Sequence, residues 1–238
     1  MKTCRIHLLR SGLTEAAVKG VYRGSTDTIL DRAGRKALSE TASSLHYPYV
    51  EKVYTGDITA DQESAGIMFP GVEIVSTRDL NGMGLGVFEG MSFDELKDSE
   101  AFQKWVSPSG GYVPDGGELP ADFSKRVVSA VTGIVKSCFE DLIPSVAVVA
   151  SMGVIGAILA EIGLPKADSL DWQCDNGYGY TCIADSTLFY REPVLEIVSK
   201  IPTKGSDGED GPYHDEADDD WVDDGTLDAW MKDDREEK

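Results

Sequence analysis

Residues 4–27 read CRIHLLRSGLTEAAVKGVYRGSTD, and the turn at their centre decides the fold. Residues 4–9 have the apolar composition of a buried strand, which stops at Arg10-Ser11-Gly12 on a cation, a hydroxyl and a glycine. In an open α/β sheet ligands bind at that edge of the strands. Whether this turn still carries chemistry depends on the turns that the fold brings beside it.

Outward from this turn, strand and helix alternate. Asp31 is a plausible N-cap for a helix reaching about residue 45, closed by Tyr47-Pro48. A strand over 50–54, a helix over 59–68 and a strand over 72–76 follow. Residues 78–90, RDLNGMGLGVFEG, hold four glycines and read as a loop over the strand ends. Short helices near 92–97 and 100–106, with two Gly/Pro-rich turns, make up an insertion ahead of a long amphipathic helix over 120–141. Residues 146–150, VAVVA, predict a central parallel strand buried on both faces, ending at Ser151-Met152-Gly153, where a helix to about residue 162 begins. A turn over 172–180 feeds two late strands, 180–184 and 194–199, expected to pair antiparallel at one edge. The expected architecture is α/β: three αβα layers around a mostly parallel sheet.

The chain has 238 residues and a formal charge of −20, unevenly placed. Residues 204–238 carry 15 acidic and four basic side chains, a net −11, which leaves −9 on residues 1–203. One α/β domain over 1–203 and an acidic, disordered C-terminal tail over 204–238 are expected. This field repels nucleic acid and anionic membranes, so neither is an expected partner, and any anion site must be local. The tail fails as a calcium loop, because with Gly225 in sixth place Val222 and Met231 fall where oxygen ligands are needed. Trp221 and Trp230 make it a possible interaction segment. Cys4, Cys138, Cys174 and Cys182 show no C-x-x-C spacing and no Cys/His cluster, so free thiols, no metal and no cofactor are expected. The opening residues lack a long apolar segment and no stretch approaches a membrane span, which predicts a cytoplasmic protein.

Taken together, these motifs resemble the histidine phosphatase superfamily, also called phosphoglycerate-mutase-like. Its members open on a strand ending in Arg-His-Gly, then Thr-Glu, Gly, Asp and Leu-x-x-x-Gly. Arg10-Ser11-Gly12, Thr14-Glu15, Gly24, Asp27 and Leu30 with Gly34 match that order. The second motif falls on residues 53–65, the third on 80–90, the Gly-Gly-Glu on 116–118, and the closing Val-x-x-His-Gly on 148–153. The resemblance covers about residues 1–200 and implies the family fold.

It also implies roles. In the family one histidine accepts the phosphoryl group, a second histidine and two arginines bind phosphate, and an acid protonates the leaving alcohol. Carried over by position, these roles fall on Ser11, Met152, Arg10, Ala60 and Gly82, of which only Arg10 has the required chemistry. Arg10 is thus a remnant of a phosphate site, and Glu89 and Gly153 are possible pocket residues. Glu89 is better read as a bridge to backbone N–H groups. No base for Ser11 is visible in the four turns. His7 lies within the first strand, His46 beside Tyr47-Pro48 and His214 in the tail, and each reads as structural.

The leading expectation is a pseudophosphatase that binds an unidentified small molecule or protein. The alternative is a phosphomonoesterase working by an altered route, with Arg10 and the N–H groups near Gly153 holding the anion. A third reading is a structural subunit of a larger assembly.

Overall fold

The structure is a computed structural model that describes residues 2–107 and 112–204. The tail, with His214, Trp221 and Trp230, lies outside the described residues apart from Lys204.

Seven strands form one sheet: β1 (Thr3–Arg10), β2 (Lys52–Thr55), β3 (Glu73–Ser76), β4 (Ser145–Ala150), β5 (Gly163–Leu164), β6 (Gly179–Asp185) and β7 (Leu195–Ile201), in the order β3-β2-β4-β1-β6-β7-β5. Among the described residues eight α-helices accompany them, α1 (Glu15–Val18), α2 (Arg32–Ser44), α3 (Thr59–Met68), α4 (Phe93–Leu96), α5 (Glu100–Trp105), α6 (Pro120–Asp141), α7 (Met152–Ile162) and α8 (Ser186–Phe189), with two 3-10 turns, Arg78–Leu80 and Gly86–Phe88, in the glycine-rich loop. β1 pairs in parallel with β4, and β4 with β2, so Arg10 stands beside Ala150 and Thr55 beside Val149. Residues 146–150 are fully buried, as the VAVVA run requires of a strand covered on both faces.

Alternation along β1 assigns its side chains to two layers. Ile6 and Leu8 pack with Val127, Val131 and Val135 of α6 and with Ile155, Ile158 and Leu159 of α7. Leu9 packs on the opposite face with Leu38 of α2, Ala65 and Met68 of α3, and Val53. This is the expected three-layer arrangement. A satellite cluster of Leu85, Phe88, Leu96 and Phe102 builds the insertion.

β6 and β7 pair antiparallel as expected, and β6 also runs antiparallel to β1. Three short elements were not anticipated: α1, α8, and the two-residue β5, which pairs in parallel with β7. Short runs carry too little periodicity to be read from residues alone. Local caps hold the two helices, with Thr14 receiving the Ala17 N–H and Asp185 those of Thr187 and Leu188. Asp31 caps α2 as expected, accepting the Ala33 N–H at 2.8 Å.

Among the described residues no helix is long and apolar enough to cross a membrane. The four cysteines are free.

Candidate functional site

Parallel pairing gathers the ends of β1, β2 and β4 at one edge of the sheet. The Ser11 N–H continues the β1–β4 ladder onto the Ala150 carbonyl at 3.0 Å. From the turn that precedes β6, Asn176 Nδ2 donates to the Ser11 carbonyl at 2.7 Å. The Gly12 N–H donates to Ser64 Oγ of α3 at 2.9 Å. The Arg10-Ser11-Gly12 turn is thereby fixed from three elements.

Arg10 donates from its guanidinium to the Cys174 carbonyl at 2.6 Å. It lines a cleft of about 410 Å³ with Gln173, Cys174, Tyr178, Tyr180 and Lys200. Neither Glu89 nor Gly153 lines this cleft. Cys174 meets Met152 sulfur to sulfur at 3.6 Å, and burial pushes its thiol up to about 11, so it is held protonated. Met152 and Gly153 begin α7, whose N-cap Ser151 gives no side-chain cap, and a Cβ on Gly153 would meet only Ser151 Oγ, at 4.0 Å.

Ala60 is fully buried, packed with Leu9, Val53 and Val149, and its N–H donates to the Thr28 carbonyl at 2.8 Å. It belongs to the core rather than to the lining of a pocket. Position 82 is closed by backbone: a Cβ there would stand 2.5 Å from the Gly24 carbonyl oxygen, and a Cβ on Gly24 would strike the Met83 carbonyl. The two strands of loop pass so closely that an acidic side chain at 82 has no place without moving Gly24.

Glu89 is the backbone bridge expected from its sequence position. Its carboxylate accepts from the N–H groups of Gly24, Ser25 and Leu85 at 3.0–3.1 Å, and these bonds hold it below the usual carboxylate range despite burial. Asp27 anchors α3 in the same manner, accepting from Thr59 N and Oγ1 at 2.7 and 2.8 Å where the N-cap Ile58 has no side-chain acceptor. Both are framework groups.

One further residue, outside the four turns and not singled out from the sequence, lies near Ser11: the acid Asp61. Asp61 is 4% exposed and Ser11 6%; Asp61 lies one turn before Ser64 on the buried face of α3, and Ser64 Oγ holds the neighbouring Gly12 N–H, which brings the carboxyl close to the Ser11 turn. Burial raises that carboxyl to about 7; Ser11 draws it down and the nearby Asp27 charge pushes it up. The signal was present in helix spacing, because residues 60, 61, 64, 65 and 68 form the buried stripe of α3 and Asp61 falls on it. Thr55 Oγ1 at the end of β2 is also buried and has no hydrogen-bond partner among the described residues.

His7 is 2% exposed and sits between Thr181 Oγ1 at 3.0 Å and Ser145 Oγ at 3.1 Å. Burial lowers it to about 4, which keeps the ring neutral. His46 joins Thr203 through backbone bonds. Among the described residues no three His, Cys, Asp or Glu side chains gather where they could hold a metal ion.

A family model described as histidine phosphatase superfamily (branch 1) matches residues 6–184. The adenosylcobalamin/alpha-ribazole phosphatase of Escherichia coli strain K12 is 26% identical over 180 residues, which cover 73% of this chain and 86% of that protein. Its counterpart in Salmonella typhimurium strain LT2 is 25% identical over 170 residues, covering 70% and 83%. The crystal structure of an alpha-ribazole phosphatase from Shigella flexneri superposes with a TM-score of 0.68 at 21% identity, covering 87% of this chain and all of that one (100%).

Proposed function

The chain belongs to the histidine phosphatase superfamily, and from that premise we propose that it is a member whose catalytic positions are substituted, a pseudophosphatase that acts by binding a small molecule or a protein. The observation that carries this reading is the buried Asp61 carboxyl beside Ser11, at the position where the family resemblance calls for the attacking imidazole. A phosphate ester carries negative charge, and a carboxyl in that place opposes it. The neighbouring positions support the same reading. Ala60 is core, position 82 is closed to a side chain, and Met152 presents a thioether where a second imidazole is implied. Residues 1–203 form the binding domain in this reading, with 204–238 as an appended acidic segment.

A second reading, a phosphomonoesterase working by an altered route, is favoured by the same pair. A serine hydroxyl needs a base, and a carboxyl raised to about 7 is placed to take its proton. The phosphatases among the relatives lend this reading weight.

Purified protein assayed with p-nitrophenyl phosphate and with sugar and nucleoside phosphates, with and without divalent metal, separates the two. No turnover above background is expected. Turnover that disappears in both Ser11→Ala and Asp61→Asn would establish the second reading and remove the first.

A further inference from the structure

Without Asp61, the Ser11 turn would be a favourable place for an anion. It lies at the carboxyl ends of three parallel strands, with Arg10 on one side. The start of α7, lacking a side-chain cap, adds helix-dipole attraction for negative charge.

Asp61 places a buried carboxyl close to this turn. Its Oδ2 lies 3.0 Å from where a Cβ on Gly56 would stand, with Asn81 Oδ1 at 2.9 Å and the Leu80 carbonyl oxygen at 3.1 Å from the same point. Gly56 thus allows backbone, carboxyl and amide to converge. Asn81 is itself fixed, its Oδ1 accepting the Asp57 N–H at 2.7 Å. Among the described residues no cation forms an ion pair with Asp61. Arg10, the cation of the adjoining turn, directs an N–H to the Cys174 carbonyl instead.

We propose that Asp61 determines the ligand selectivity of this site, its buried carboxyl barring phosphate and other oxyanions from the Ser11 turn. This rests on the pseudophosphatase reading and adds to it a single responsible residue. Removing the charge while keeping the side chain's shape opens the turn to an oxyanion, with Arg10 and the α7 N-terminus as its partners. Binding returns in that variant without turnover, because no group there can accept and release a phosphoryl group.

The test is the affinity for inorganic phosphate at pH 8, by titration calorimetry, of the full-length protein and its Asp61→Asn, Asp61→Ala and Asp57→Asn variants. Near-UV circular dichroism confirms their fold, and p-nitrophenyl phosphate turnover is followed in parallel. Removing one like charge at close range predicts phosphate binding tighter by about tenfold to a hundredfold in both Asp61 variants. Asp57→Asn, which removes an exposed carboxylate at the same edge, should leave binding unchanged. Folded Asp61 variants that bind phosphate no better than the wild type overturn the inference and remove Asp61 as support for the pseudophosphatase reading, which then rests on the substituted positions and is decided by the turnover assay alone. An equal gain in Asp57→Asn also overturns it, because general charge would then be the cause. Turnover by the wild-type protein overturns the pseudophosphatase reading itself.

Discussion

The Arg10 guanidinium is bonded to the Cys174 carbonyl oxygen at 2.6 Å, and the backbone of Arg10 joins the same segment through the Tyr178 carbonyl at 2.8 Å and the Gly177 N–H at 2.9 Å. The cation at the end of the first strand is therefore committed in part to holding the turn over residues 174–178 against the sheet. Arg10→Ala should cost about 1.5–3 kcal/mol, the usual range for a hydrogen bond to a charged group. Amide exchange over residues 173–178 should accelerate in the same variant. Urea denaturation with hydrogen-exchange mass spectrometry measures both, and unchanged exchange would show that the backbone bonds alone hold the turn.

Backbone crowding at Gly82 sets a contrast with an exposed helix glycine. A Cβ on Gly82 meets the Gly24 carbonyl oxygen at 2.5 Å, whereas one on Gly133 of α6 meets nothing within 4 Å. Gly133→Ala should stabilise by about 0.5–1 kcal/mol through helix propensity. Gly82→Ala should destabilise by about 2 kcal/mol or more, because backbone must move. Thermal unfolding of the two variants side by side tests the crowding, and a neutral Gly82→Ala would contradict it.

Asp61 and His7 impose opposite slopes on stability against pH. Asp61 has a folded pKa of about 7, above its unfolded value, so the folded state holds the extra proton and stability falls as pH rises from about 4 to 7. His7 has a folded pKa of about 4, below its unfolded value, so the stability tied to its neutral ring is present above about 6.5 and lost as pH falls towards 4. In the wild type the two largely cancel between pH 5 and 6.5 on the scale of one proton each. Asp61→Asn should leave stability rising with pH in that window, and His7→Gln should leave it falling. Urea midpoints at four or five pH values give the signs directly.

Arg126 grips Glu118 through two N–H groups at 2.8 and 2.9 Å. Its guanidinium also donates to the carbonyls of Arg78, Asp79, Asn81 and Gly82 at 3.0–3.3 Å. No ammonium can serve so many acceptors in one plane. Arg126→Lys should lose about 1–3 kcal/mol although the charge is kept, and the loop over residues 78–84 should exchange faster. A lysine variant as stable as the wild type would mean that charge alone matters there.

Residue order alone was sufficient for the framework. The VAVVA run required a strand buried on both faces, the spacing of Phe123, Val127, Val131 and Val135 required a long helix, and Glu89 beside Gly90 suggested a carboxylate serving backbone N–H groups. The first two are a composition and a local periodicity, the third follows from the family resemblance, and each was found where expected. The two-residue β5 and the four-residue α8 were not legible, because elements so short have no period to read.

The candidate site divides differently. The family resemblance assigns Ser11, Ala60, Gly82 and Met152 to the motif positions and leaves Arg10 as the charged remnant. Only tertiary structure showed that Ala60 is core, that position 82 is closed by Gly24, and that Asp61 faces Ser11 across about fifty residues of chain. The physical reason is range. Periodicity and capping act within one element, whereas the protonation of a carboxyl and the room for a side chain are set by atoms that parallel pairing and loop crossing bring from elsewhere in the chain.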